Sequence, residues 1–89
     1  MSRQIKLNGR EQTMMRSIGF GQGVTGAEIL DRMPMSAEEL VDVLNSLLSA
    51  GFIETGSTKE SVTSANFAAE NYEINPAYST DLRDVLKRN

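Results

Sequence analysis

The chain has 89 residues, of which 24% are charged, a net charge of −3, and neither cysteine nor histidine. This length predicts one domain over residues 1–89, folded around one hydrophobic core. Without cysteine and histidine the chain excludes disulfides, thiolate and imidazole metal sites and the usual nucleophile–histidine pairs, so we expect a non-enzymatic protein without metal or cofactor.

The first predicted helix covers residues 8–20. Asn8 is a favourable N-cap, and Glu11 follows three residues later, where its carboxylate can accept a hydrogen bond from the backbone N–H of the cap. Met14 is predicted to lie in the core, whereas Met15 fits either the core or the surface. A run of glycines after this helix predicts a break in the chain.

The second predicted helix covers residues 25–33. Thr25 and Glu28 have the spacing of a capping box, and Pro34 prevents the helix from continuing. Residues 21–26 match the phosphate-binding pattern G-x-G-x-x-G, which requires a preceding strand. Because a predicted helix precedes them, we interpret these glycines as a turn between two helices.

The third helix, predicted over residues 36–50, has the clearest boundaries. Ser36 and Glu39 have capping-box spacing, and Gly51 stands where a left-handed C-cap is preferred. A helical wheel directs five apolar side chains inward, those of Leu40, Val43, Leu44, Leu47 and Leu48. The outward positions are Glu38, Asp42, Asn45, Ser46 and Ser49.

The remainder of the chain predicts a β-hairpin followed by a last helix. Strands are expected at 52–55 and 71–75, because apolar and polar residues alternate there. The polar stretch 56–66 between them predicts a loop, and the following residues 67–70 fit either a helical turn or a strand. Asn75 can cap the last helix, predicted over residues 76–88, with proline at its preferred first position.

Two short motifs resemble winged-helix domains of bacterial transcription regulators. Residues 47–54 (LLSAGFIE) are similar to the Leu-x-x-x-Gly-(Leu/Tyr/Phe)-(Ile/Val) junction that ends the recognition helix in those families. Residues 72–76 (YEINP) are similar to their Tyr-x-Leu-Thr-Pro passage from a strand into a last helix. The resemblance implies a mainly α protein of the α+β class, with a three-helix core, a hairpin wing and a C-terminal helix.

The resemblance also implies duplex-DNA binding, with the third helix in the major groove and the wing on the backbone. Lys59 would then be a wing contact. The residues assigned to base edges would be those on the outward side of the third helix, Glu38, Asp42, Asn45, Ser46 and Ser49.

The charge pattern argues against this use of the third helix. Residues 36–75 carry one cation and seven acids, a net charge of −6, whereas residues 1–35 carry +2 and residues 76–89 carry +1. Because DNA affinity depends on neutralising phosphates, an acidic recognition face disfavours it. An alternative nucleic-acid surface would consist of the N-terminal cations Arg3, Lys6, Arg10 and Arg16.

We therefore expect a protein-recognising module that binds a basic partner surface through the acidic face of the third helix. The first alternative is a DNA-binding transcription regulator, a homodimer built through its last helix. The second is a dimerisation or accessory domain. No apolar run is long enough to cross a membrane and no signal peptide is evident, so we expect a cytoplasmic protein.

Overall fold

A computed structural model describes residues 5–58 and 60–87 of the chain. Within these ranges four α-helices accompany a three-stranded antiparallel sheet, which confirms the predicted α+β class. In chain order the elements are α1 (Gly9–Ile18), β1 (Val24–Thr25), α2 (Gly26–Arg32), α3 (Ala37–Ala50), β2 (Ile53–Thr55), β3 (Asn71–Ile74), a 3₁₀ turn (Pro76–Tyr78) and α4 (Ser79–Lys87).

The helices begin where the sequence contains capping residues. Asn8 and Glu11 form a complete capping box on α1, and Thr25 and Glu28 form one on α2. At α3 only half of the predicted box is present. The Ser36 side chain accepts a hydrogen bond from the backbone N–H of Glu39, but the backbone N–H of Ser36 does not donate to the Glu39 carboxylate.

Helix α3 ends at Gly51, as predicted, in a left-handed turn with φ of 81°. The Phe52 N–H donates to the Leu47 carbonyl at 3.1 Å. This is the hydrogen bond of a Schellman motif that spans the larger number of residues. The Phe52 ring then packs edge-on against Tyr78, with the ring centroids 5.2 Å apart. The turn therefore leads directly from α3 into β2 and ties both to the start of the last helix.

The sheet contains one strand that the sequence did not predict. Its order is β1-β3-β2, with Val24 opposite Tyr72 and Ile53 opposite Ile74. Strand β1 has only two residues, too few to establish an alternating pattern, and its pairing depends entirely on β3. The predicted hairpin is thus two strands of a three-stranded sheet.

The predicted last helix is also divided in two. The Asn75 side chain accepts a hydrogen bond from the Ala77 N–H, and the chain first makes the 3₁₀ turn. The Asn75 side-chain NH₂ group donates to the Gly51 carbonyl at 2.8 Å, so this residue joins the end of α3 to the last helix. Residue 75 therefore leaves β3, and α4 starts at Ser79.

All four helices and strands β2 and β3 contribute to one hydrophobic core. Met15, which fitted either environment, is fully buried in it together with Met14. Two further core residues lie between β2 and β3. Val62 belongs to the predicted loop, and Phe67 belongs to the stretch that fitted either a helical turn or a strand. The Tyr72 hydroxyl lies in this core and donates to the Phe67 carbonyl at 2.9 Å, and burial raises the pKa of Tyr72 well above its usual range.

The loop between β2 and β3 is packed closely onto α2. The N–H groups of Gly26 and Ala27 donate to the carbonyls of Glu70 and Ala68, both at 3.1 Å. A Cβ atom at Gly26 would overlap the Phe67 carbonyl oxygen. The third glycine of the G-x-G-x-x-G pattern is therefore explained by a close backbone approach.

Candidate functional site: the outer face of helix α3

The outer face of α3 is defined here by the four outward residues that are exposed, Glu38, Asp42, Ser46 and Ser49. They are spaced four, four and three residues apart, which aligns them along one side of an α-helix. The opposite side of the helix carries Leu40, Val43, Leu44 and Leu47, all of which are buried. Burial of that apolar side fixes the rotation of the helix and presents the acidic side to solvent.

The two carboxylates of this face repel each other. Glu38 and Asp42 lie at positions i and i+4, where like charges cost about 0.2–0.5 kcal/mol. Neither forms an ion pair with any residue that the structure describes. Glu38 gains some compensation from the positive end of the helix dipole, because it lies in the first turn. The face is therefore a local concentration of negative charge.

Glu39, at the edge of this face, turns toward α1 instead of toward the outer face. Its Oε2 lies 3.5 Å from Nη2 of Arg10, and its Oε1 accepts a hydrogen bond from the Ser36 hydroxyl at 3.3 Å. The side chains of Arg10 and Glu39 are 64% and 46% exposed, so this ion pair stabilises the packing of α1 on α3 by less than about 1 kcal/mol.

Asn45, the remaining predicted contact residue, is half-buried and has a structural use. Its side-chain nitrogen donates to the Val62 carbonyl at 3.0 Å, and its side-chain oxygen accepts from the Val62 N–H at 2.7 Å. Both ends of the amide thus hold the loop against α3, much as a neighbouring strand would. The helical wheel missed this role because it ignores the partner of each outward side chain.

The predicted wing contact, Lys59, lies outside the described residues, as does Arg3 of the predicted N-terminal basic surface. Of its other cations, Arg10 and Arg16 do not come together. Arg10 pairs with Glu39 at the start of α1, Arg16 donates from Nη2 to the Leu86 carbonyl at 3.1 Å near its end, and Lys6 precedes the helix. The structure therefore places Arg10 and Arg16 near opposite ends of α1.

A different basic cluster lies between the C-terminal ends of α1 and α4. We call it the α1–α4 groove, a cavity of about 480 Å³ lined by Arg16, Gly19, Phe20, Arg83, Leu86 and Lys87. The guanidinium carbon of Arg83 stands 4.8 Å from the centroid of the Phe20 ring. In the sequence, only the i, i+4 spacing of Arg83 and Lys87 hinted at this cluster, because Phe20 and Arg16 join it through tertiary packing.

The outer face of α3 presents polar side chains to solvent. Its groups are carboxylates and hydroxyls on a rigid helix, which can accept hydrogen bonds from cationic side chains. Among the described residues, no three acidic side chains converge in a way that could hold a metal ion. No helix in the same part of the chain has the length and apolarity that crossing a membrane requires.

The pKa of Glu28 is lowered, because its carboxylate accepts hydrogen bonds from the backbone N–H and the hydroxyl of Thr25. This shift belongs to the cap of α2 and not to the outer face of α3.

No protein-family model matches the chain, and comparisons with curated proteins and with solved structures also give no match.

Proposed function

We propose that this chain is a winged-helix module that binds a protein partner with a basic surface, using the outer face of α3. The order helix, strand, helix, helix, β-hairpin and helix, with β1 pairing onto the hairpin, supports the winged-helix assignment. In that architecture α3 corresponds to the recognition helix. The proposal rests on one observation, the exposure of Glu38 and Asp42 on α3 without a described ion-pair partner.

The same observation disfavours duplex DNA as the target of this face. Two unit charges about 4 Å apart interact by roughly 4 kcal/mol near a protein surface, so each carboxylate beside a phosphate is costly. The usual advantage of specific over non-specific DNA binding is about 4–10 kcal/mol. Two carboxylates facing the backbone would therefore cancel much of that advantage, and phosphate-neutralising cations would have to compensate for them.

A basic protein surface is attracted by the same two carboxylates, because its charge has the opposite sign. Arginine suits such a face especially well, because its planar guanidinium donates two parallel hydrogen bonds to one carboxylate. Ser46 and Ser49 extend the face and can exchange hydrogen bonds with a partner backbone. Opposite charges raise the rate of association, and salt weakens this effect.

Charge reversal tests the proposal. The chain would be immobilised and used to capture proteins from an extract of its native host. Two variants that have the same net charge as each other would be used in parallel. One variant carries Glu38→Lys with Asp42→Lys, and the control carries Asp31→Lys with Asp84→Lys, two exposed acids of α2 and α4. We expect at least one protein to be retained by the wild type and the control and lost by the α3 variant.

A parallel titration of the wild type with random-sequence duplex DNA, followed by fluorescence anisotropy at about 50 mM salt, should give no binding. Salt-sensitive binding of that DNA would contradict the proposal. The same conclusion would follow if both charge-reversed variants captured the same proteins as the wild type.

A further inference from the structure

The α1–α4 groove has a charge opposite to that of the outer face of α3. Its lining contains three cations, Arg16, Arg83 and Lys87, and no acidic residue, although the whole chain carries a net charge of −3. From this charge and the apolar floor that Phe20 and Leu86 form, we propose that the groove docks an acidic segment of a partner protein, with one apolar side chain of that segment as its anchor. This site is separate from the proposed site on α3.

The floor of the groove provides the apolar contact. Phe20 and Leu86 are half-buried and pack against the core, so each still presents part of its apolar surface to solvent. The cations stand around them, which gives an apolar centre with a charged rim. Interfaces between proteins commonly have this arrangement, in which a central aromatic or aliphatic contact contributes most of the affinity.

Arg83 stands beside the apolar floor of the groove. The central carbon of its guanidinium lies over the Phe20 ring, 4.8 Å from the ring centroid, a cation–π contact. A guanidinium carries five N–H donors, and two of them can bind one carboxylate in parallel. Arg83 forms no ion pair with any acid among the described residues. A carboxylate can therefore bind Arg83 without displacing a salt bridge to any of those acids.

Arg16 contributes in a second way. The groove lies near the C-terminal ends of α1 and α4, and the negative ends of the helix dipoles oppose an anion there. The hydrogen bond from Arg16 Nη2 to the Leu86 carbonyl neutralises part of that field at α4. Lys87, in the last turn of α4, adds positive charge at the same end.

The proposal can be tested by NMR titration of the ¹⁵N-labelled chain with three peptides. The first is acetyl-Asp-Glu-Phe-Asp-Glu-Leu-amide, the second replaces its Phe and Leu with Ala, and the third replaces its four acids with Lys. We expect the first peptide to shift the amide signals of residues 16–20 and 83–87, with a dissociation constant of about 0.1–1 mM. The other two should bind at least about tenfold more weakly, because the alanine peptide lacks the apolar anchor and the lysine peptide lacks the negative charge.

Variants then assign the binding to the groove. Arg83→Gln removes an exposed cation and should weaken the first peptide by about tenfold, as expected for one charge-assisted contact. Arg32→Gln is the matched control, because Arg32 is an exposed arginine of α2 that lies outside the groove. It should leave the affinity unchanged.

Several outcomes would overturn the proposal. These are the absence of shifts at about 1 mM peptide, shifts centred on other residues, or equal binding of the alanine or lysine peptide. Tighter binding of duplex DNA to the same residues would assign the groove to nucleic acid. The chain could also associate with itself. If Arg83→Gln and Asp42→Lys each abolished that self-association, the groove would be assigned to the α3 face of a second copy. Because the test does not use the outer face of α3, its failure would leave the proposed function untouched.

Discussion

At Gly26, the absence of a side chain lets α2 begin against the backbone of the loop before β3. The Gly26 N–H donates to the Glu70 carbonyl, and the Phe67 carbonyl occupies the place where a Cβ atom would stand. The loop in turn brings Phe67 into the core. A sequence pattern cannot distinguish this glycine from one in an open turn, because the crowding atom comes from a distant part of the chain.

Gly26→Ala should therefore destabilise the protein, although alanine is ordinarily the better helix former by about 1 kcal/mol. We expect a loss of roughly 1–3 kcal/mol in the free energy of unfolding, the usual cost of overpacking. Urea denaturation measures this loss. Gly9→Ala is the control, since a Cβ at this first residue of α1 has no atom within 4 Å. Equal effects of the two changes would contradict the interpretation.

Asn45 is the second position at which one side chain organises a distant segment. Removing its amide in Asn45→Ala leaves the Val62 N–H and carbonyl without their partner, so we expect a loss of about 1–3 kcal/mol. Hydrogen exchange at the Val62 amide should become faster. The exposed neighbour Ser46 supplies the comparison, as Ser46→Ala should change stability by less than about 0.5 kcal/mol. If Asn45→Ala is equally neutral, the amide contributes little to holding the loop.

At the scale of elements, local hydrogen bonds determine where the helices start. The capping box of α2 involves charge, because the Glu28 carboxylate accepts from the Thr25 N–H at 3.0 Å and from its hydroxyl at 3.1 Å. These bonds favour the ionised carboxylate and lower the pKa of Glu28 from its ordinary value of 4.5. The cap therefore links the stability of α2 to pH.

The sign of this linkage follows from the direction of the shift. Because folding lowers the pKa of Glu28, the cap stabilises the protein above pH 4.5 and loses this effect as the pH falls through the folded-state pKa. Glu28→Gln keeps a side-chain acceptor but removes the titration. We expect the wild type to have the higher melting temperature near neutral pH and the difference to shrink below pH 4.5. A difference that is constant with pH would exclude Glu28 as the titrating group.

At the scale of the whole molecule, folding separates charge. The outer face of α3 carries Glu38 and Asp42, whereas the α1–α4 groove gathers Arg16, Arg83 and Lys87. The net charge of the chain hides both features. The two proposed sites would therefore take partners of opposite charge.

Charge reversal on α3 also tests the proposed winged-helix architecture. If only charge prevents α3 from entering a major groove, Glu38→Lys with Asp42→Lys should create DNA affinity that falls steeply with salt. Fluorescence anisotropy with random-sequence duplex at roughly 50 and 200 mM salt measures this change. The control Asp31→Lys with Asp84→Lys has the same net charge. If the two variants bind DNA equally, general charge and not the geometry of α3 explains the affinity.

The local features of the fold could be predicted from the sequence. The caps at Asn8, Thr25 and Ser36 and the left-handed turn at Gly51 depend on residues within a few positions of each other. The apolar spacing of α3 likewise follows from helical geometry, which is why Glu38 and Asp42 were expected at the surface and are exposed there. These features required no knowledge of the rest of the chain.

Tertiary structure decided the features that depend on distant partners. Strand β1 exists because Val24 meets Tyr72, and Asn45 turns from the outer face because Val62 lies beside it. The α1–α4 groove forms only where the two helix ends converge. The sequence by itself therefore determined where the first three helices start and the acidic outer face of α3, through short-range hydrogen bonding and periodicity. Long-range packing alone determined which polar side chains remain available and where the basic groove lies.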